Sequence, residues 1–556
     1  MTLSALLLVM TLGQSPAADA DVEAGAPETA ESAAAAPADE APAQPDDAPT
    51  EATPAPAVEA APANPATPAM QPWLETRRVD GWSTNFGVDG LELRLNAALR
   101  LSQSVSSPVV LDETGTTTRL TPFETRLRLA PELRYRFLSL VSEFDVLTGA
   151  ALGIPDASVV AGRVPTPAWH AADLRQLYFQ YRWRSGLFRG GLQTSHFGLG
   201  MLANAGAQDA QSGDFGMQHR GTIALRALFA GRPFLGVNEW LSLLEPFAAF
   251  DLVVRDGTAD LQEGDRALHG IVGLRFNFDE RNVLALTLIY RNQRRPGGTP
   301  DERSTDAYVL DVSGKWTLWQ QGSSWLDVGA EVAAITGTTT QGRADVAPVL
   351  DVRQLGAVAK VTYASKRFGL LFDAGYASGD QNPYDTQLNN FRFDRDYKVG
   401  LVLFDQVLGY QSARTAWRAG DPQLSGYPPE GLDLLPTAGA LTGAWYLFPR
   451  ARLTVTEGLD VYGGPLFAFA SATPVDVFNT RLNGGEVLNS LGARGGRYYG
   501  TELDLGVNLK LMLARFFKLT ATLEGGVLFP GDAFRQADGS LMAPVGLGRL
   551  RFTAQL

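Results

Sequence analysis

One stretch of the chain, residues 125–137, alternates apolar and charged side chains. In an extended strand, successive side chains point to opposite faces. One face is apolar and carries Leu127, Leu129, Leu133, Tyr135 and Phe137. The other face is charged and carries Arg126, Arg128, Glu132, Arg134 and Arg136. Such a strand needs an apolar environment on one side and water on the other. Because similar patterns recur along the chain, the sequence predicts a transmembrane β-barrel with a water-filled interior.

The N-terminal residues predict export and no folded domain. An apolar run at residues 3–12, followed by small residues, predicts a signal peptide over 1–20, although no Lys or Arg precedes Arg77. Residues 21–80 are rich in Ala, Pro and acidic side chains, which predicts a disordered linker in the periplasm. No later segment offers about 20 consecutive apolar residues for a spanning helix. The barrel is therefore expected over residues 81–556.

The acidic balance of the chain comes from its N-terminal tail. The formal net charge is -13, and the first 70 residues hold 11 acids and no base. The remaining 49 acids and 47 bases leave the predicted barrel nearly neutral. With no basic arm, nucleic acid is not expected as a partner. The absence of cysteine excludes disulfide bonds and thiolate metal sites, and no cofactor is expected.

Connection lengths predict the number of strands. Bacterial barrels join their strands by short turns in the periplasm and by long loops outside. Short turns are predicted at 185–186, 279–281, 365–366, 449–450 and 514–515. Long loops are predicted at 105–119, 149–172, 197–219, 256–267, 293–305, 337–351, 378–437, 462–498 and 530–544. Nine long loops predict an all-β, antiparallel barrel of about 18 strands. Its first strand is expected at 90–104 and its last at 545–556.

Two segments fit this count less simply. Pro131 has no backbone N–H, so it predicts a bulge, an irregular edge or a tight turn within 125–137. Residues 397–406 look like another strand, but an extra crossing would give an odd number of strands. We therefore place them in the long loop 378–437, folded into the mouth of the barrel, where this loop would narrow the channel.

Several segments resemble one family of barrels. They are residues 173–181 with 188–200, 214–216 with 220–226, 374–385, and 499–505 with 529–532. These segments are similar to strands and loops of the alginate-export family of outer-membrane barrels. The resemblance implies passive export of a secreted polysaccharide, of the exopolysaccharide, capsule or biofilm type. It implies the polysaccharide and periplasmic or inner-membrane polysaccharide export proteins as partners, in addition to outer-membrane lipid.

A water-filled barrel places the charged side of each strand in its lumen. The expected channel-lining residues are Arg126, Arg128, Glu132, Arg134, Arg136, Arg182, Arg184, Arg226, Arg275, Glu502, Asp504, Lys510, Arg549 and Arg551. The arginines would form a ladder that attracts an anionic polymer. A mixed charged lining without substrate preference explains the same pattern.

The long loop 378–437 is rich in side-chain oxygens, enough to offer a site for Ca²⁺. Its candidate binding residues are Asp380, Asn382, Asp385, Asp394 and Asp396. Their spacing does not match an EF-hand, so a solvated loop is the simpler interpretation and no metal is expected.

An enzyme is not expected from this sequence. Ser195 and His196 are adjacent, so on a strand they would face opposite sides and could not form a catalytic pair. His170 and His219 fall in predicted loops, where exposure to solvent is the default. Three functions remain open: a passive polysaccharide exporter, a porin that admits small solutes, and a structural or adhesive barrel. Composition does not separate the first two.

Overall fold

The computed structural model describes residues 82–85, 90–155, 157–160, 164–206, 214–279, 281–295, 303–341, 349–426, 432–514 and 517–556. The predicted signal peptide over 1–20 and linker over 21–80 lie outside the described residues. Parts of the predicted turns at 279–281 and 514–515 also lie outside them. Within the described part of the chain, no helix is both long and apolar enough to cross a bilayer.

Eighteen long strands follow one another along the described chain. The first six are β1 (Leu91–Ser106), β2 (Phe123–Tyr135), β3 (Leu138–Leu152), β4 (His170–Trp183), β5 (Gly186–Ser195) and β6 (Thr222–Gly231). The next six are β7 (Leu244–Arg255), β8 (Arg266–Asn277), β9 (Val283–Arg295), β10 (Arg303–Gln321), β11 (Ser324–Thr339) and β12 (Leu350–Ala364). The last six are β13 (Phe368–Ala377), β14 (Ala444–Thr456), β15 (Leu459–Ala470), β16 (Tyr498–Ala514), β17 (Phe517–Pro530) and β18 (Val545–Gln555).

The sheet closes on itself. Each long strand pairs antiparallel with the next, and β18 pairs antiparallel with β1. The prediction of an 18-stranded antiparallel barrel is therefore confirmed. Two short strands also pair with the sheet: Trp82–Asn85 pairs with β1, and Gln387–Leu388 pairs with β12.

Long and short connections alternate along the chain. Loops 1 to 9 are 107–122, 153–169, 196–221, 256–265, 296–302, 340–349, 378–443, 471–497 and 531–544. The connections at the other end have two to five residues, except for 232–243, which contains the helix Glu239–Ser242. By the rule that relates loop length to membrane side, the described loops face outside and the described short turns face the periplasm, whereas residues 296–302 lie outside the described residues.

Two prolines lie inside strands and not at turns. The sequence predicts a hairpin turn at 449–450, but Pro449 lies within β14, and the turn comes at Glu457 and Gly458. Pro131 lies within β2, opposite Leu95 of β1. Neither proline has a ladder partner on its second neighbouring strand, yet the register continues beyond it. A missing N–H thus interrupts the hydrogen bonds locally without ending the strand.

The predicted alternation of faces is present in the barrel wall. Leu133 and Tyr135 are exposed on the outside of the barrel, whereas Arg126 and Arg128 are buried inside it. The last strand repeats the pattern, with Phe552 outside and Arg551 inside. The barrel therefore presents an apolar surface to its surroundings and a charged surface to its lumen.

Candidate functional site: the lumen and its inserted loops

Loops 3 and 7 fold into the barrel. Phe215 of loop 3 packs against Phe448 and Tyr462 of the wall, with ring centroids 6.0 and 5.0 Å apart. In loop 7, Phe404 and Tyr410 are almost fully buried and belong to the same hydrophobic core. The lumen is therefore narrowed by two loops, and not by loop 7 alone.

The segment that resembles a strand, 397–406, contains turns and the beginning of a helix. A π-helical segment, Leu403–Leu408, continues directly into the α-helix Gly409–Gly420. Residues 401–404 are all buried, because the segment is enclosed by the barrel wall and the other loops. Burial on all sides explains why its sequence is as apolar as that of a strand.

A buried glutamate of the wall holds each inserted loop. Glu331 of β11 accepts hydrogen bonds from three backbone N–H groups of loop 3, those of Leu199, Met201 and Leu202. Glu502 of β16 accepts three from loop 7, at 2.5, 2.8 and 2.7 Å, from Leu401, Val402 and Leu403. A buried N–H group that loses its acceptor costs free energy, so these hydrogen bonds oppose the release of either loop. Each carboxylate therefore anchors a loop to one place on the wall.

The arginines of β2 hold loop 3. Arg126 donates to the backbone carbonyl of Gln218 at 3.1 Å. Arg128 donates to the carbonyl of Gly206 at 2.9 Å, and its Nε donates to Asp145 at 2.7 Å. These guanidinium groups are therefore used for packing loop 3 against the wall.

Arg175 is buried and also contacts loop 3, although the alternation of side chains in the sequence does not predict this. It is 0 % exposed, and it lies 3.4 Å from Asp145 and contacts the carbonyls of loop 3. Counting by alternation from the outward-facing Leu177 would place Arg175 outside the barrel. The register shifts at Glu143 and Phe144, and this irregularity turns Arg175 inward.

Two acidic residues of loop 7 join it to loop 3. Asp396 accepts hydrogen bonds from the backbone N–H groups of His219 at 2.6 Å and Gly221 at 2.7 Å. Asp394 accepts one from the N–H of Asn204 at 2.9 Å. We call this set of contacts the loop junction. The two inserted loops thus form one unit within the lumen.

The other candidate oxygens of loop 7 lie in local turns. Asp380 accepts a hydrogen bond from the N–H of Asn382 at 3.0 Å, and Asp385 accepts one from the N–H of Gln387 at 2.8 Å. The described residues contain no group of three His, Asp or Glu side chains arranged to hold a metal ion.

Helix Gly409–Gly420 connects loop 7 to the outer mouth. Its Arg414 donates to Asp112 of loop 1 at 2.7 Å, and its Arg418 forms an ion pair with Glu113. Loop 7 is therefore held both at the wall and at the outer rim.

Most other predicted lining residues form ion pairs on the inner face. The pairs are Arg134 with Glu132, Arg226 with Asp251, Arg275 with Glu245, Lys510 with Asp460, and both Arg549 and Arg551 with Glu524. Arg182 is half-buried, and Asp504 is 1 % exposed. The lumen therefore has a mixed lining in which most arginines are paired with acids.

Two arginines lie outside the lumen, contrary to the sequence prediction. Arg136 occupies the turn after β2 with a φ of 51°, and Arg184 occupies the turn after β4; both are exposed. Each strand ends before the alternating pattern does. A turn is built from the residues that follow the last ladder pair, whatever their polarity.

His219 is buried, although its place in a loop predicts exposure to solvent. It is 9 % exposed, and its Nε2 lies 2.9 Å from Oε1 of Glu124 on β2. The prediction fails because loop 3 folds into the barrel and not away from it.

Two arginines beside the loop junction form no direct ion pair with an acid among the described residues. Arg220 lies between His219 and Gly221, and Arg395 lies between Asp394 and Asp396. Neither side chain forms a hydrogen bond or an ion pair with any residue in the described part of the chain.

Arg255 of β7 is a third cation near Arg220 and Arg395. Arg255 forms an ion pair with Asp173 at 2.8 Å, and its strand partner Ile223 lies three residues from Arg220. Burial and the positive charges of Arg255 and Arg395 lower the pKa of Arg220 to about 10, although Asp173 partly opposes this. The three arginines lie together in the outer half of the lumen, with Asp173, Asp260 and Asp396 near them, and we call them the arginine cluster.

The stability of the loop junction is expected to depend on pH. Burial raises the pKa of Asp394 to about 7, and the charge of Asp396 contributes to the rise. Burial also disfavours the charge of Asp396, but Arg395, His219 and Lys398 outweigh it and lower the pKa of Asp396 to about 2. An aspartate has a pKa of about 3.9 when unfolded. The contribution of Asp394 to docking is thus full below about pH 4 and is lost as the pH rises through about 7.

We expect single-channel conductance in planar bilayers to increase between pH 5 and pH 8 as the junction weakens. An Asp394→Asn variant should lose most of this dependence, because its side chain cannot ionise. Asp396 titrates well below this range and should not contribute. An unchanged pH profile in the variant would exclude Asp394 as the cause.

These features define an outer-membrane β-barrel whose lumen is narrowed by two docked loops.

No family model and no curated protein matches the chain. Its structural neighbours include three proteins of Pseudomonas aeruginosa. The outer membrane protein OprD has 11% sequence identity and a TM-score of 0.43, over 84% of this chain and 93% of OprD. OccK2 in complex with glucuronate has 11% identity and a TM-score of 0.42, over 84% and 96%. OpdK with vanillate has 10% identity and a TM-score of 0.44, over 83% and 98%. Similarity at this level does not identify the solute of this chain.

Proposed function

We propose that this protein is a passive outer-membrane channel that admits small anionic solutes. The arginine cluster at the loop junction is the observation that carries the proposal. Fixed positive charges in a narrow pore raise the local concentration of anions and favour their passage. Arg220 and Arg395 are available for this role because neither is paired with an acid among the described residues.

The inserted loops favour small solutes over a polymer. Arg126 and Arg128 donate to the backbone of loop 3 and to Asp145, so a sliding polymer would have to compete with these contacts. Loop 7 is tied to Glu502 and to loop 3, so it would have to leave the lumen to admit a wide chain.

Polysaccharide export is the second candidate. The segments 173–181 and 188–200, which resemble the alginate-export family, form neighbouring strands in which Leu177 lies opposite Leu192. Residues 499–505 likewise pair with β17. In this case the N-terminal linker would lie in the periplasm, near inner-membrane export proteins. The polysaccharide would pass after the inserted loops had moved.

Ion selectivity tests the arginine cluster. We expect the double variant Arg220→Ser and Arg395→Ser to reduce the ratio of anion to cation permeability several-fold in planar bilayers. Arg353→Ser is the control, because the Arg353 side chain is 66% exposed and lies on the outer face. Equal selectivity in the double variant and the control would contradict the proposal.

Deletion of the gene separates the two candidate functions. We expect slower uptake of small organic anions and a normal amount of surface polysaccharide. Normal uptake together with loss of the polysaccharide would favour export instead.

A further inference from the structure

A cavity of about 220 Å³ lies among loops 7, 8 and 9 at the outer mouth of the barrel. Hydroxyl and amide side chains line much of it, including Asn390, Gln411, Ser412, Thr442, Ser490 and Tyr499. The rings of Tyr499 and Phe534 contribute an aromatic surface, with their centroids 5.6 Å apart. The cavity thus offers both hydrogen-bonding groups and an apolar ring face.

The charged residues that line this cavity are held by hydrogen bonds within the protein. Arg392 donates to two backbone carbonyls of loop 7, at 2.7 and 3.1 Å. Asp380 accepts hydrogen bonds from two backbone N–H groups of its own loop. Asp476 caps the helix Val477–Leu482 and also accepts a hydrogen bond from Thr415. Each of these charged groups already has hydrogen-bond partners within the loops, so none of them needs a ligand as a partner.

Tyr499 has an unused hydroxyl group in this cavity. The residue is 7 % exposed, and its hydroxyl forms no hydrogen bond with any residue that the structure describes. The hydroxyl therefore keeps its donor and its acceptor positions for a molecule in the cavity. A ligand hydroxyl in the cavity would supply the missing partner.

We propose that this cavity binds a neutral, polyhydroxylated molecule of about the size of a monosaccharide. Its volume lies below the usual range for drug-sized ligands, about 300 to 1,000 Å³, so a larger ligand would not be enclosed. The hydroxyls of Ser412, Thr442 and Ser490 already donate within the protein, so they would accept hydrogen bonds from sugar hydroxyls, and the aromatic surface would contact the apolar face of the ring. None of the residues of the arginine cluster lines the cavity, so this proposal does not rest on anion transport.

Titration of the full-length protein in detergent tests this site. The probes are D-glucose, D-galactose and N-acetylglucosamine, with D-glucuronate as the charged comparison, and binding is followed by calorimetry and by ligand-observed NMR. We expect saturable binding of at least one neutral sugar and at least tenfold weaker binding of D-glucuronate. Absence of saturable binding by all three neutral sugars, or equal binding of D-glucuronate, would overturn the proposal.

Variants locate the binding in the cavity. Tyr499→Phe removes only the hydroxyl and should weaken binding about three- to tenfold, the range expected for one hydrogen bond. Ala472→Leu fills part of the cavity and should abolish binding. Tyr376→Phe makes the same chemical change on the outer face and should leave affinity unchanged. If Tyr499→Phe and Ala472→Leu fold and both bind like the wild type, the assignment is wrong.

Discussion

Excision of residues 394–440 is expected to increase single-channel conductance several-fold. The backbone N–H of Phe393 donates to the carbonyl of Leu441 at 2.9 Å, so the two ends of the excised segment already lie together. A Gly-Ser-Gly linker can therefore replace the segment without straining the loop. None of the barrel's strand ladders includes residues 394–440. The wall should close as before around a lumen that has lost loop 7.

The excised variant leaves wall side chains such as Tyr446 and Phe448 facing water, so its folding must be checked by circular dichroism. Glu502→Ala is a milder companion, because it removes only the anchor for 401–403. We expect it to give frequent transitions between a low and a high conductance level. If the excised protein folds and conducts like the wild type, loop 7 does not restrict the channel.

Asp145→Asn is expected to destabilise the barrel by about 3 to 5 kcal/mol, the range measured when one partner of a buried ion pair is removed. Asp145 is 1 % exposed and lies between Arg128 and Arg175, whose side chains are 8 % and 0 % exposed. Without its carboxylate, two buried guanidinium groups lose the acid between them, and Glu143 remains as the acid within 4 Å of both. Urea unfolding in detergent, followed by tryptophan fluorescence, measures the change.

Asp351→Asn provides the matched control. Asp351 lies 3.9 Å from Arg353, but both side chains are more than half exposed. An exposed pair contributes about 0 to 1 kcal/mol, so this variant should unfold at nearly the same urea concentration as the wild type. Similar stability of Asp145→Asn and Asp351→Asn would show that the buried network does not hold the barrel together.

The barrel itself could be predicted because its pattern is local. The alternation of side chains within a strand and the length of a connection are both visible within about ten to twenty residues. These two local features are sufficient to predict 18 strands and nine long loops. Prediction from local sequence patterns fails at Pro449 and at Arg175. A proline inside a strand resembles a turn, and a register shift reverses the direction of every side chain beyond it.

The contacts within the lumen could not be predicted in this way. Asp394 binds Asn204, which is 190 residues away, and Glu502 binds loop 7 about 100 residues away. Nothing in the sequence near Arg126 indicates that it will hold a carbonyl of loop 3. The sequence predicted the polarity of the lumen, but the partners of each charge depend on how the loops fold.

The loop junction uses main-chain atoms on the side of loop 3. Asp396 binds the N–H groups of His219 and Gly221, and any amino acid except proline supplies such a group. Arg220, which lies between them, contributes nothing to the junction through its side chain. A mutation at this position can therefore change the charge of the pore without releasing the loops. Closely related channels could evolve different solute preferences at Arg220 while keeping the same loop arrangement.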